Sequence, residues 1–210
     1  MYTLYGIDES GSCMIEIALL RCAVPWRRVD AASWAEGEGS DELARINPLK
    51  QVPTLVTPDG EVLTESAAIL IHLGLAFPAS DLLAGNRAQV LRGLVYIAAN
   101  CYSAIGIIDY PQRWLGDADQ AVQAQLATGT RRYLHQAWVM FANQFADQLF
   151  AAGNVPNALG IMAAAVSRWD GARDALSGLA PGFAQSLAQV DADPIVAPVF
   201  ARHWPQWKVS

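Results

Sequence analysis

Three short stretches carry residue types that could act on a ligand. The first is Val52-Pro53, where a proline stands at the head of a β-branched, apolar run, Thr54-Leu55-Val56. Proline gives no N–H to a ladder and is confined to sheet edges, strand starts and bulges. A cis bond before Pro53 would turn the Val52 N–H and C=O outward, free to pair with an extended, peptide-like ligand. The second is Glu65-Ser66, at the head of an apolar helical pattern. A helix N-terminus offers unpaired N–H groups to a carboxylate. Ser66 adds a hydroxyl, and Glu65 can accept from an ammonium, so an α-amino acid end would satisfy both. The third is Glu9-Ser10-Gly11-Ser12-Cys13, a polar loop leading into a helix, whose hydroxyls and N–H groups suit an anion such as a thiolate. Each stretch alone also has a plain structural reading: an edge-strand proline, an ordinary helix start and a serine N-cap.

The elements around these stretches alternate over the first eighty residues. Tyr2-Thr3-Leu4-Tyr5 predicts a strand ended by Gly6, and residues 7–11 a loop. A helix follows with Ile15, Ala18, Leu19 and Cys22 on one face, and 24–30 predicts a second strand. A short helical turn covers 41–46. Pro58-Asp59-Gly60 joins two β-branched runs as a hairpin, and a helix runs from Glu65 to Phe77. Beyond Pro78 no alternating strand pattern recurs. Residues 79–86 predict a linker, followed by long helical patterns over 87–109 and 118–151. A helix over 158–169 and shorter ones near 180–190 and 195–203 complete the chain.

Composition narrows the function classes. The chain has 210 residues, 53% hydrophobic and 16% charged, with a formal charge of −6, so it can bury a sizeable core. Its lysines are Lys50 and Lys208 alone, and its arginines are scattered without a basic stripe, which speaks against nucleic acid as a partner. Three cysteines, Cys13, Cys22 and Cys101, have no metal-ligand spacing. No apolar run reaches bilayer length, and "MYTLYG" enters a strand without a signal-like segment. The expectation is a cytoplasmic protein without a membrane partner.

Together the three stretches resemble the glutathione S-transferases. "NPLKQVPTLV…DGEVLTESAAILIHL" is similar to the family's glutathione-site segment, and the all-helical second half agrees. The resemblance implies an α/β plus all-α architecture: a thioredoxin-like glutathione-binding domain over 1–78, a linker over 79–86 and a helical domain over 87–210. It implies glutathione as co-substrate, transfer of its thiolate to small hydrophobic electrophiles, and a homodimer. Val52, before Pro53, would pair with the cysteinyl part. Glu65 and Ser66 would hold the γ-glutamyl end, and Gln51 with Lys50 would reach the glycyl end. For the thiol-activating residue the resemblance points to Ser10 first, then Ser12, then Cys13. Cysteine-type members place their thiol near Gly11, which has no side chain. Tyr5 is expected to point into the sheet. The electrophile pocket is expected between the Ser10 loop and the first C-terminal helix, where Tyr96, Tyr102, Tyr110 and Trp114 read first as core, with Tyr102 the alternative candidate to line the pocket.

Two departures from the family pattern stand out. Gly160 occupies the place of a capping-box aspartate three residues after Asn157. The stretch 31–42 is acidic where members often place a base for the glycyl carboxylate, leaving Arg45, Lys50 or Gln51 to substitute. The tail His203-Trp204-Pro205-Gln206-Trp207 is expected to be a packed cover. Glutathione-dependent reduction of disulfides or peroxides, or ligand binding without turnover, are the competing functions.

Overall fold

The side chains of the first strand alternate between two cores. β1 (Tyr2–Gly6) sends Tyr2 and Leu4 into the large core, and Tyr5 into a small one with Ala31 and Leu43. The computed structural model describes residues 1–206. After β1 come α1 (Ser12–Arg21), β2 (Trp26–Asp30), α2 (Glu38–Ile46), β3 (Thr54–Val56), β4 (Val62–Leu63) and α3 (Ser66–Ala76). The sheet order is β2-β1-β3-β4. β1 runs parallel to β2 and antiparallel to β3, with Leu4 opposite Leu55. α1 and α3 pack together on the large-core side, while α2 supplies Leu43 to the other. This is the thioredoxin-like arrangement expected from the sequence.

Both proline-bearing strands start later than their apolar patterns suggest. β2 begins at Trp26 rather than residue 24, with the Pro25 carbonyl accepting from Tyr2 N at 3.0 Å. β3 begins at Thr54, because Pro53 has no N–H for the ladder.

The rest of the described chain is largely helical. α4 (Arg87–Tyr96) continues through a π-helical segment, Ile97–Tyr102, into α5 (Ser103–Asp109). Then come α6 (Gln112–Leu115), α7 (Gln120–Phe145), α8 (Ala158–Val166), α9 (Ala172–Leu179), α10 (Pro181–Asp191) and α11 (Val196–His203). The sequence pattern misses α9, a short helix entered through Gly171 at φ 70°. Helix α8 is apolar all round and every one of its residues is buried, as the central helix of a core must be. Residues 79–86 are tied down, with Leu82 and Leu83 buried in the same core.

One expectation is corrected. The stretch Arg87–Asp109 is helical over 23 residues, long and apolar enough to cross a bilayer. Small and polar residues interrupt the run in sequence and hide its length. Its stripe of Val90, Leu94, Ile97 and Cys101 is buried in the protein core, where α4 and α5 meet α7 and α8.

Asn157 caps α8 by accepting from Leu159 N at 3.0 Å and Gly160 N at 3.1 Å. Its amide also donates to the carbonyls of Gln148 at 2.8 Å and Ala84 at 3.2 Å, tying three segments together. The missing aspartate has a steric cause: a Cβ on Gly160 would collide with the Leu149 carbonyl oxygen. Trp204 is buried, as a cover residue should be, while Trp207 lies outside the described residues.

Candidate functional site

The loop after β1 is built around its own hydroxyls. Ser10 Oγ donates to the Ile7 carbonyl at 2.6 Å and lies 2.9 Å from Ser12 Oγ, which is 3.0 Å from the same carbonyl. Both serines are buried, and Ser12 packs over Gly6, where a Cβ would collide with it. Cys13 is fully buried in the first turn of α1. Burial, with Glu16 nearby, pushes its thiol well above the usual range. Tyr5 is engaged on the opposite face, donating to Glu42 Oε1 at 2.6 Å. Burial and that carboxylate push its hydroxyl up to about 12.

The approach to β3 is held by Asn47. Its amide donates to Gln51 O at 3.2 Å and Thr54 Oγ1 at 2.9 Å, and its carbonyl accepts from Leu49 N at 3.1 Å. This frame delivers Gln51 and Val52 to a cis Val52-Pro53 bond. Among the described residues, the Val52 N–H and C=O have no hydrogen-bond partner. Across the hairpin, Glu65 sits at φ 64°, a left-handed conformation uncommon for a residue with a side chain. No side chain caps α3, so its first N–H groups stay open.

These pieces meet in one cleft of about 740 Å³ between the α/β and helical parts. Ser10, Gln51, Val52, Pro53, Glu65 and Ser66 line one side. Tyr102, Tyr110, Arg113, Trp114, Met162 and Trp169 line the other. Ser12 and Lys50 are absent from the lining: Ser12 lies beneath the loop, and Lys50 is exposed outside the cleft. Arg45 does not reach it either, so Gln51 alone remains of the three substitutes for the glycyl end. The acids Glu36 and Glu38 also stay outside.

Sequence reasoning missed two features of the mouth. Trp34 joins the lining, 61% exposed, from the stretch that looked merely acidic. Arg113, the one basic residue on the lining among those described, lies over the Tyr110 ring with its guanidinium carbon 3.9 Å from the centroid. Sequence offered only a tryptophan within an acidic stretch; its exposure, the sign of a binding surface, is decided by the fold. Nearby, burial and Asp170 push the Asp109 carboxyl up.

The site loop is gripped from behind. Asp8 meets Arg28 at 2.7 Å, and Arg28 reaches Glu16 at 3.2 Å. Gln206 donates to Glu9 at 2.9 Å from the C-terminal side.

Tyr102 closes the site from above. It ends the π-helical segment, packs against Trp169 at a tilt of 45° with centroids 5.9 Å apart, and aims its hydroxyl at Gly11. A Cβ on Gly11 would collide with that oxygen and would lie 3.4 Å from Pro53 Cδ.

Comparison with known proteins agrees with this architecture. A family model described as glutathione S-transferase, N-terminal domain, matches residues 12–75. An uncharacterized GST-like protein of Escherichia coli K12, YncG, is 31% identical over 159 residues, covering 73% of this chain and 74% of that protein. A glutathione transferase homologue from Sulfitobacter, solved with bound glutathione, is 21% identical. It superposes with a TM-score of 0.78 over 96% of this chain and 98% of its own. A sphingomonad glutathione S-transferase complexed with glutathione gives 20% identity and 0.75 over 96% and 98%.

Proposed function

Given that the chain belongs to the glutathione S-transferase family, we propose that it binds glutathione in this cleft and transfers the thiolate to small hydrophobic electrophiles. One observation carries the reading: the unpaired Val52 backbone and the uncapped start of α3 open onto the same cleft. Val52 offers a strand edge to the cysteinyl part. The α3 N–H groups and Ser66 suit the γ-glutamyl carboxylate, and Glu65 suits its ammonium. Gln51 is the residue left for the glycyl end. Ser10 is the loop hydroxyl nearest the thiol position and holds the loop in shape. The aromatic wall from Tyr102 to Trp169 receives the electrophile. The reaction makes one S–C bond, releases the electrophile's leaving group, and gives the thiol proton to solvent.

The same reading takes the protein as a cytoplasmic homodimer, which sedimentation velocity tests for the association. Calorimetric titration with glutathione, followed by conjugation of a halogenated aromatic, tests the activity. Binding with turnover supports it, and no heat at millimolar glutathione rejects it. Ser10→Ala should lower conjugation about tenfold, because the loop that bounds the thiol position loses its bonds to the Ile7 carbonyl and to Ser12; unchanged activity removes Ser10 from the site. Reduction of disulfides is the second reading. Since no cysteine among the described residues lines the cleft, it would need glutathione to supply both thiols, and a disulfide substrate assayed alongside separates the two.

A further inference from the structure

We propose that the Tyr102 hydroxyl, reaching over from the helical part, is the direct hydrogen-bond donor to the glutathione thiolate. The inference rests on the glutathione reading above and adds the group that touches sulfur. Each residue the loop itself offers is otherwise engaged. Ser10 has one proton, and its geometry places that proton on the Ile7 carbonyl or on Ser12. Ser12 is fully buried and bonded to the same carbonyl or to Ser10. Cys13 is sealed in the core.

Tyr102 has the opposite properties. Its ring is packed against Trp169, yet its hydroxyl makes no hydrogen bond among the described residues and faces the cleft. The oxygen occupies the space that a side chain at Gly11 would fill, beside Pro53. A cysteinyl unit paired with the Val52 backbone must direct its sulfur into that neighbourhood, because Pro53 and Gly11 bound it. The hydroxyl therefore stands where a loop side chain would meet the sulfur. Burial, reinforced by the Cys13 thiol, pushes the Tyr102 hydroxyl above its usual range, so it stays a donor across physiological pH.

The backbone is shaped for this placement. Residues 97–102 wind as a π-helix inside an otherwise α-helical run, and Tyr102 is the last of them. One extra residue in a helix turns every later side chain by about 100° relative to an α-helical path. Without that insertion Tyr102 would leave the cleft.

The test compares native protein, Tyr102→Phe and Gly11→Ala. The ultraviolet absorbance of the thiolate is titrated in the binary complex with glutathione, before any electrophile is added. Tyr102→Phe keeps the ring and removes only the hydroxyl. It should raise the thiol pKa of bound glutathione by about one unit, a tenfold loss of thiolate below it. The acid limb of kcat/KM should move with it, while calorimetric affinity changes less than about threefold, since the rest of the ligand is held elsewhere. Gly11→Ala, whose Cβ displaces the hydroxyl, should shift the limb in the same direction. An unchanged titration in Tyr102→Phe, with glutathione still bound, overturns the role of Tyr102 and leaves the glutathione reading standing. Failure of the native protein to bind glutathione overturns both.

Discussion

His203 Nε2 lies 2.9 Å from Glu16 Oε1, and both side chains are almost fully buried, so the last described helix is fastened to the helix that follows the site loop. Arg202 and Arg28 complete the ring of partners around Glu16. Nearly the whole length of the chain separates the two residues in sequence. The contact makes the C-terminal end part of the support for Ser10.

This pair sets an acid limit on stability. Burial alone would raise the Glu16 carboxyl, but the His203 hydrogen bond and the Arg202 and Arg28 charges hold it below the usual range. A carboxyl lowered on folding stabilises the fold above its unfolded value of about 4.3 and loses that contribution as pH falls through the folded value. Glu16→Gln should cost about 3 kcal/mol at neutral pH, because a buried carboxylate that pairs with Arg28 and Arg202 and bonds His203 loses its charge. The deficit should shrink below about pH 4. Urea unfolding at several pH values checks both parts, and a pH-independent difference would contradict the charge account.

Asn157 should cost more to replace than an ordinary cap. Asn157→Ala removes the cap and two bonds to the Gln148 and Ala84 carbonyls, and should lose about 3 kcal/mol. Asn157→Asp keeps the acceptor and removes the donors, and should lose an intermediate amount. Chemical denaturation of the three proteins separates cap from tie.

Restoring the family's aspartate should harm this protein. Gly160→Asp or Gly160→Ala places a Cβ against the Leu149 carbonyl, so either should destabilise by roughly 1–3 kcal/mol despite the better helix propensity of alanine. A raised melting temperature in Gly160→Ala would show that the Leu149 segment yields.

Thiol reactivity should be confined to one residue. Burial pushes the Cys101 thiol up to about 12 and raises Cys13 further, whereas Cys22 is half-buried, its smaller rise due to burial. Alkylation of the native protein near pH 8 should label Cys22 slowly and leave the others untouched until unfolding. Peptide mass mapping reads the outcome, and rapid labelling of Cys13 would place it in the cleft after all.

Ser66→Ala should weaken retention on immobilised glutathione about tenfold, the loss of one donor to a charged carboxylate. The α3 N–H groups should keep residual binding. Equal retention would mean that Ser66 does not face the carboxylate.

Local chemistry made much of this protein legible. Proline lacks an N–H and Pro-Asp-Gly turns sharply, so the hairpin and its open Val52 edge are legible in the residues themselves. Apolar spacing placed most helices, and an all-apolar α8 announced its own burial. Other features depend on contacts between distant segments, which spacing cannot encode. The π-helical segment that aims Tyr102 has no periodic signature. Ser10 and Ser12 look alike in sequence, yet only folding decides that Ser12 lies under the loop over Gly6. Gly11 and Gly160 read as absences in sequence; in the fold, the Tyr102 hydroxyl and the Leu149 carbonyl take the space a side chain would fill. Sequence determined which groups could meet a peptide-like thiol, because backbone and side-chain chemistry are local. The tertiary structure alone decided which hydroxyls on the cleft are left without a hydrogen-bond partner among the described residues, because that depends on what every neighbour has already bound.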